Sequence, residues 1–273
     1  MPRMHSNRVI KWFEVHIAEH CNLNCVSCLH FSSLAGKEFL NLETFIHDLS
    51  HISRLDGEQL QGINLLGGEP LLHKGITDFF KAAHDIFPHI YMRCITNGIL
   101  LDTMPESFWR ECRDHNVTIT ISSYPVRLPL RSIVRKCTDF NVNLEYRQII
   151  AKKAIAYGDQ VEVGRFSKFP LDLQGSQDPV RTWNSCPMQC FQLHRGKIFQ
   201  CCTAAYIEFF NKEFGTKLEL TDRDYVDLRT AQSPREVSEY LSRPMDFCRY
   251  CAIEKIDNNI VWRRTKKEIE EWT

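Results

Sequence analysis

"KWFEVHIAEHCNLNCVSCLH", residues 11–30, joins an alternating apolar segment to three cysteines, Cys21, Cys25 and Cys28. Trp12 or Phe13, Val15 and Ile17 recur with the two-residue period of a strand, so the thiols fall in the loop at that strand's C-terminal end. Downstream the pattern repeats. Asn41 can cap a helix whose Leu42, Phe45, Ile46, Leu49, Ile52 and Leu55 follow helical spacing. "GINLLGG", "IYMRCIT", "VTITISS" and "VNLEYRQII" read as further strands. Helices carrying Ile76, Phe79, Phe80, Ala83 and Ile86, then "MPESFWRECRDH", then "LRSIVRKC", separate them. This alternation predicts an α/β fold, a partial (β/α)6 TIM-like barrel over residues 10–165. Function on such a sheet collects at the C-terminal strand ends. The unusual segments all fall there: the cysteine triplet, "GGEP" at 67–70, "TNG" at 96–98 and "SSYP" at 122–125.

The chain has 273 residues, 43% of them hydrophobic, and 34 basic side chains balance 34 acidic ones. It can bury a core, and it lacks the basic excess that marks nucleic-acid binding. No secretory signal opens the sequence and no apolar run is long enough to span a bilayer, which predicts a soluble, cytoplasmic protein without a membrane partner. Twelve cysteines in a reducing compartment point to metal or redox chemistry rather than disulfides. Cys94, Cys112 and Cys137 have apolar neighbours at strand or helix spacing and are expected to be buried.

The remaining cysteines form one group near each end. "NSCPMQC", "KIFQCC" and "FCRYC" hold Cys186, Cys190, Cys201, Cys202, Cys248 and Cys251, which could supply a zinc ribbon. "FPLDLQGSQDPVRTW" reads as a connecting segment. "CFQLHRGKIFQCC" reads as a hairpin turning at Arg195 and Gly196, and Ser233, Pro234 and Glu236 as a capped helix start. A small hairpin-plus-helix domain is expected over 180–255. A charged helix is expected over 256–273, with Trp262, Ile269 and Trp272 covering the core.

The triplet Cys21-x-x-x-Cys25-x-x-Cys28, followed on the next strand end by Gly67-Gly68-Glu69-Pro70, resembles the radical S-adenosylmethionine (SAM) enzymes. That resemblance implies a 4Fe–4S cluster held by the three thiolates, whose open iron is chelated by the amino and carboxylate groups of SAM. It implies reductive cleavage of SAM to a 5′-deoxyadenosyl radical that takes a hydrogen atom from the substrate. Gly67 and Gly68 would let the strand end approach the methionine moiety, and Glu69 or its neighbouring carbonyls would accept from its ammonium. Asn97, Ser122 and Arg147 would bind the ribose hydroxyls and carboxylate, or be ordinary loop and turn polar groups. Many members carry an aromatic residue before the third cysteine; here Ser27 stands there, and His30 or Phe31 could take the packing role.

The C-terminal group resembles the twitch module, a shortened relative of the SPASM domain. It implies a second, auxiliary 4Fe–4S cluster on Cys201, Cys248 and Cys251 with either Cys186 or Cys190. Cys202 and the leftover thiol would be packed, or one would donate a hydrogen atom. Twitch-bearing relatives oxidise or epimerise carbohydrate-like small molecules, the expected activity here, with an electron donor such as flavodoxin or ferredoxin. Radical modification of a ribosomally made peptide and a non-catalytic zinc-binding interaction protein are the alternatives.

Overall fold

A computed structural model describes residues 10–56, 59–148, 165–188 and 190–273. The alternating segments fold as strands β1 (Trp12–Ala18), β2 (Gly62–Gly67), β3 (Tyr91–Thr96), β4 (Val117–Ser123) and β5 (Leu144–Gln148). Helices α1 (Leu42–Asp56), α2 (Ile76–Ile86), α3 (Glu106–Asp114) and α4 (Leu130–Phe140) return the chain between them. There follow β6 (Arg165–Lys168), α5 (Pro179–Ser185), β7 (Gln192–His194), β8 (Lys197–Phe199), α6 (Cys202–Ala205) and α7 (Ile207–Phe214). The remaining elements are β9 (Tyr225–Asp227), α8 (Pro234–Leu241) and β10 (Asp257–Val261).

The result is a mixed α/β architecture around a mostly parallel sheet of order β5-β4-β3-β2-β1-β7-β8-β9. Its sixth parallel strand is β7, which pairs with β1 so that Glu14 faces Gln192. The β7–β8 hairpin turns at Arg195 (φ 50°) and Gly196 (φ 74°), two left-handed residues as a tight hairpin requires. This hairpin continues the main sheet rather than standing apart from it. Ser233 caps α8 by accepting from the Glu236 amide at 3.4 Å, and the Glu236 carboxylate reaches back to the Gln232 amide at 2.9 Å.

One sheet face is apolar. Phe13, Val15, Ile17, Ile63, Leu65, Met92, Cys94, Ile119 and Ile121 are buried there with residues of the helices, among them Cys112 and Cys137. The other face carries a crosswise row, Gln192, Glu14, Asn64, Arg93 and Thr118, set by the strand register. A parallel sheet packed by helices on both faces reads as continuous hydrophobic runs. The alternation here, broken by Leu66 and Ile95, therefore leaves one face with a polar row.

A second apolar cluster joins Phe31 and Leu34 of the cysteine loop to Trp183, Phe199, Tyr206, Phe210, Phe247 and Trp272. Residues 256–273 correct the expected helix. Asp257–Val261 is strand β10, paired antiparallel with β6, and only Ile269–Glu271 makes a short 3-10 turn. "DNNIV" combines weak helix formers with β-branched residues, and the charged run after it donates and accepts elsewhere. Among the described residues no helix is long and apolar enough to cross a membrane.

Candidate cluster and cofactor site

The loop after β1 reverses its backbone handedness once between each pair of thiols, at Asn24 (φ 53°) and Ser27 (φ 53°), and again at Phe31 (φ 51°). Non-glycine residues in this region are uncommon and must be held. The C-terminal segment holds them. Val26 donates its amide to the Arg263 carbonyl at 3.0 Å and Thr265 donates to the Asn24 carbonyl at 2.9 Å. Arg264 bridges to Cys25, the Ser27 hydroxyl donates to the Glu271 carbonyl at 2.6 Å, and the Trp272 indole donates to the Cys28 carbonyl at 2.9 Å. Ser27 is thus an anchor for the tail. Phe31 is buried in the second core, and His30 sits at 2.7 Å from His16.

The Gly67-Gly68-Glu69 segment runs directly alongside this loop. Gly68 donates its amide to the Ala18 carbonyl at 2.8 Å, and Glu69 donates to the His20 carbonyl at 3.1 Å. A Cβ on Gly68 would stand 2.2 Å from the His20 carbonyl oxygen and 2.7 Å from the Cys21 nitrogen; one on Gly67 would stand 2.2 Å from the Ala18 oxygen. These glycines are required by the backbone that carries the thiols. Gly68→Ala is expected to displace that backbone, lowering stability by roughly 1–3 kcal/mol, the usual range for overpacking. Thermal unfolding together with iron uptake per chain checks this; wild-type values in both would refute the close approach.

Glu69 is fully buried and turned inward. One carboxylate oxygen accepts from the Thr96 hydroxyl at 2.6 Å and the Leu71 amide at 3.2 Å, and the other from the Asn97 amide at 2.9 Å. Burial pushes this carboxyl up to about 7. It ties the ends of β2 and β3, while Pro70 begins the short turn Pro70–Leu72. Asn97 donates its side-chain amide to Asn22 at 2.7 Å, lies 3.8 Å from the Cys21 sulfur, and accepts from the Ile99 amide. Gly67, Gly68, Glu69, Pro70 and Asn97 are therefore gathered around the cysteine loop. Ser122 and Arg147 face each other across β4 and β5, farther along the same sheet edge.

The donor set fits an iron–sulfur group. Burial pushes the Cys21 thiol up to about 11 and raises Cys25 and Cys28, and the neighbouring thiols add to the shifts of Cys21 and Cys25. Burial and mutual repulsion oppose ionising these thiols, so holding them as thiolates fits binding to a cationic core. Donors stand ready: the Leu23 amide at 3.3 Å from Cys21 and the Trp262 indole at 3.1 Å from Cys25, with Tyr124 neighbouring Cys25 and the Ser32 and His30 amides neighbouring Cys28. The buried Ser32 and Ser33 hydroxyls and His20 Nδ1 have no hydrogen-bond partner among the described residues. Such orphaned groups suit a bound polar ligand.

Tyr124 and Trp262 escaped the sequence reading as thiol partners. The only signal for Tyr124 was its place in "SSYP" at a strand end; Trp262 gave none. A buried chain of rings was also missed. His16 Nδ1 bonds Glu19 at 2.7 Å, its Nε2 bonds His30 at 2.7 Å, and its ring stacks on Tyr206 at 3.7 Å. The alternation that sets Glu14 and His16 on the polar face was the available clue.

Four C-terminal thiols gather. Burial, then Cys201, Cys248 and Cys186 in that order, raise Cys251. The neighbouring Cys190 and Cys201 thiols, then burial, raise Cys202, while Cys202 with the Ala204 and Thr203 amides brings Cys201 down to about 6. Among the described residues, no three His, Cys, Asp or Glu side chains converge so as to hold a single metal ion.

No family model matches the chain. It is 33% identical over 101 residues to a GTP 3′,8-cyclase of Helicobacter pylori, covering 36% of this chain and 30% of that protein. A GTP 3′,8-cyclase of Sulfurimonas denitrificans is 30% identical over 95 residues, covering 35% and 30%. The chain thus spans under a third of the length of the curated relatives it matches. Among solved structures, BtrN in complex with AdoMet and 2-DOIA superposes with a TM-score of 0.51 at 16% identity, covering 90% of this chain and 94% of that one. The two share a fold along nearly their whole lengths.

Proposed function

We propose that this chain is a radical SAM protein, a reading its paired N-terminal motifs support, and that it takes a hydrogen atom from a small, hydroxyl-rich substrate and oxidises or epimerises it. The carrying observation is the half-buried three-thiol loop zipped to the Gly67–Gly68 strand end. When bound, a 4Fe–4S cluster would supply the electron that cleaves SAM to the hydrogen-abstracting radical. Cys21, Cys25 and Cys28 would hold it. Because the Glu69 oxygens are taken, backbone carbonyls at the strand end, rather than that carboxylate, would accept from the SAM ammonium. Ser122 and Arg147 would serve the ribose and carboxylate.

The polar sheet face supports a small polar substrate over a peptide. Glu14 accepts from the Asn64 amide at 3.2 Å and the Gln192 amide at 2.6 Å, and Gln192 in turn accepts from the Tyr206 hydroxyl at 3.2 Å. The buried Asn64 Oδ1 and Thr118 hydroxyl in the same row have no hydrogen-bond partner among the described residues. A ligand rich in hydroxyls would satisfy them. The cyclases' own substrate is not carried over, because the match spans so little of them.

Cys186, Cys201, Cys248 and Cys251 would hold the auxiliary 4Fe–4S cluster, with Cys190 and Cys202 left as a packed pair. That cluster would supply an acceptor for the electron of a substrate radical, so that an oxidation, with the proton lost to solvent, would leave a carbonyl. Flavodoxin or ferredoxin in the cytoplasm would reduce the N-terminal site.

The test is anaerobic incubation of iron-loaded protein with SAM, dithionite and candidate polyols and amino sugars. Release of 5′-deoxyadenosine is expected, with substrate deuterium carried into it. The Cys251→Ala protein should keep cleaving SAM but lose most substrate turnover. Iron-loaded wild type that releases no 5′-deoxyadenosine overturns the reading.

A further inference from the structure

We propose that Trp262 and Tyr124 tune the reduction potential of the N-terminal cluster by donating hydrogen bonds to one of its ligands, Cys25. The inference rests on the reading above that Cys25 ligates iron, and it assigns these two residues as positioning residues for the thiolate's charge. The Trp262 Nε1–H lies 3.1 Å from the Cys25 sulfur, and an indole nitrogen can only donate. The Tyr124 side chain neighbours the same sulfur, and a hydroxyl there can donate to it. Cys21 has a backbone amide at 3.3 Å and the Asn97 amide at 3.8 Å, and Cys28 is met by backbone amides. Among the described residues, Cys25 is the one of the three whose sulfur takes a hydrogen bond from an aromatic side chain.

One device presents both. β10 ends at Val261, so Trp262 is the next residue beyond the β6–β10 ribbon, and Phe166 of β6 stacks on Tyr124 with centroids 5.7 Å apart and planes 9° from parallel. The Arg264 bridge to Cys25 and the Val26 amide bond to Arg263 fix the indole's approach. This two-stranded ribbon lies outside the main sheet. Donors on a cluster sulfur draw off negative charge and favour the reduced, more negative state, so removing one lowers the potential.

The experiment is an EPR-monitored redox titration of anaerobically reconstituted full-length protein, following the signal that changes on SAM addition. Trp262→Phe keeps a ring and removes the N–H. It is expected to bind iron as wild type does while its reduced-to-oxidised ratio at fixed poise falls about tenfold, which is about 59 mV for a one-electron couple. Tyr124→Phe should move the midpoint in the same direction, and it carries the test where Trp262→Phe takes up less iron. Full iron with an unchanged midpoint in both variants overturns this inference alone. Wild type that takes up no iron overturns the cluster assignment and this inference with it.

Discussion

The Cys28→Ala protein is expected to release 5′-deoxyadenosine only at the level of an enzyme-free control. Cys28 lies in the interior of the loop, ringed by the amides of Ser32 and His30, and its own carbonyl anchors the Trp272 indole. Alanine keeps that backbone contact and removes only the sulfur, so the loop should persist while the third iron ligand is lost. Cys112→Ala is the matched control. Its thiol is fully buried and sits in the apolar core under the sheet, so it should cost about 1–2 kcal/mol of stability as a small cavity and leave SAM cleavage intact. Equal cleavage by wild type and Cys28→Ala would sink the ligand assignment.

Glu69→Ala is expected to be the most destabilising single change near the site. It strands the Thr96 hydroxyl and the Leu71 and Asn97 amides, three donors to a carboxylate with no exposed surface. Each buried unsatisfied donor costs about 1–3 kcal/mol, so a loss on the order of 3–5 kcal/mol follows, a large share of a typical domain's stability. Glu69→Gln keeps one acceptor oxygen and should fall between. Urea unfolding measures both. A Glu69→Ala protein as stable as wild type, yet weakened in SAM binding, would return the carboxylate to the cofactor and overturn its role as a tie between strand ends.

Much of this architecture was legible because its causes are local. Two-residue and helical periodicities marked the five parallel strands and four helices up to residue 148 within a few positions of their observed ends. Arg195-Gly196 announced the hairpin because a tight turn needs two left-handed residues. Ser233 and Glu236 announced a helix start because a side chain and an amide three residues on form a closed ring of bonds. The tail failed for the opposite reason. "RRTKKEIEE" has helix-forming composition, but its backbone groups are drawn to a loop more than two hundred residues earlier, and no local propensity can register that competition.

By itself, then, the order of residues determined where thiols stand relative to strand ends, since a parallel sheet delivers every such end to the same edge. Which groups meet them was decided only in three dimensions. Glycine at 67 and 68 is demanded by the neighbouring backbone, the Glu69 oxygens are spent on Thr96, Asn97 and Leu71, and an indole 237 positions away reaches Cys25. Hydrogen bonds and burial are short-ranged in space and indifferent to distance along the chain, so those partnerships leave no spacing rule to read.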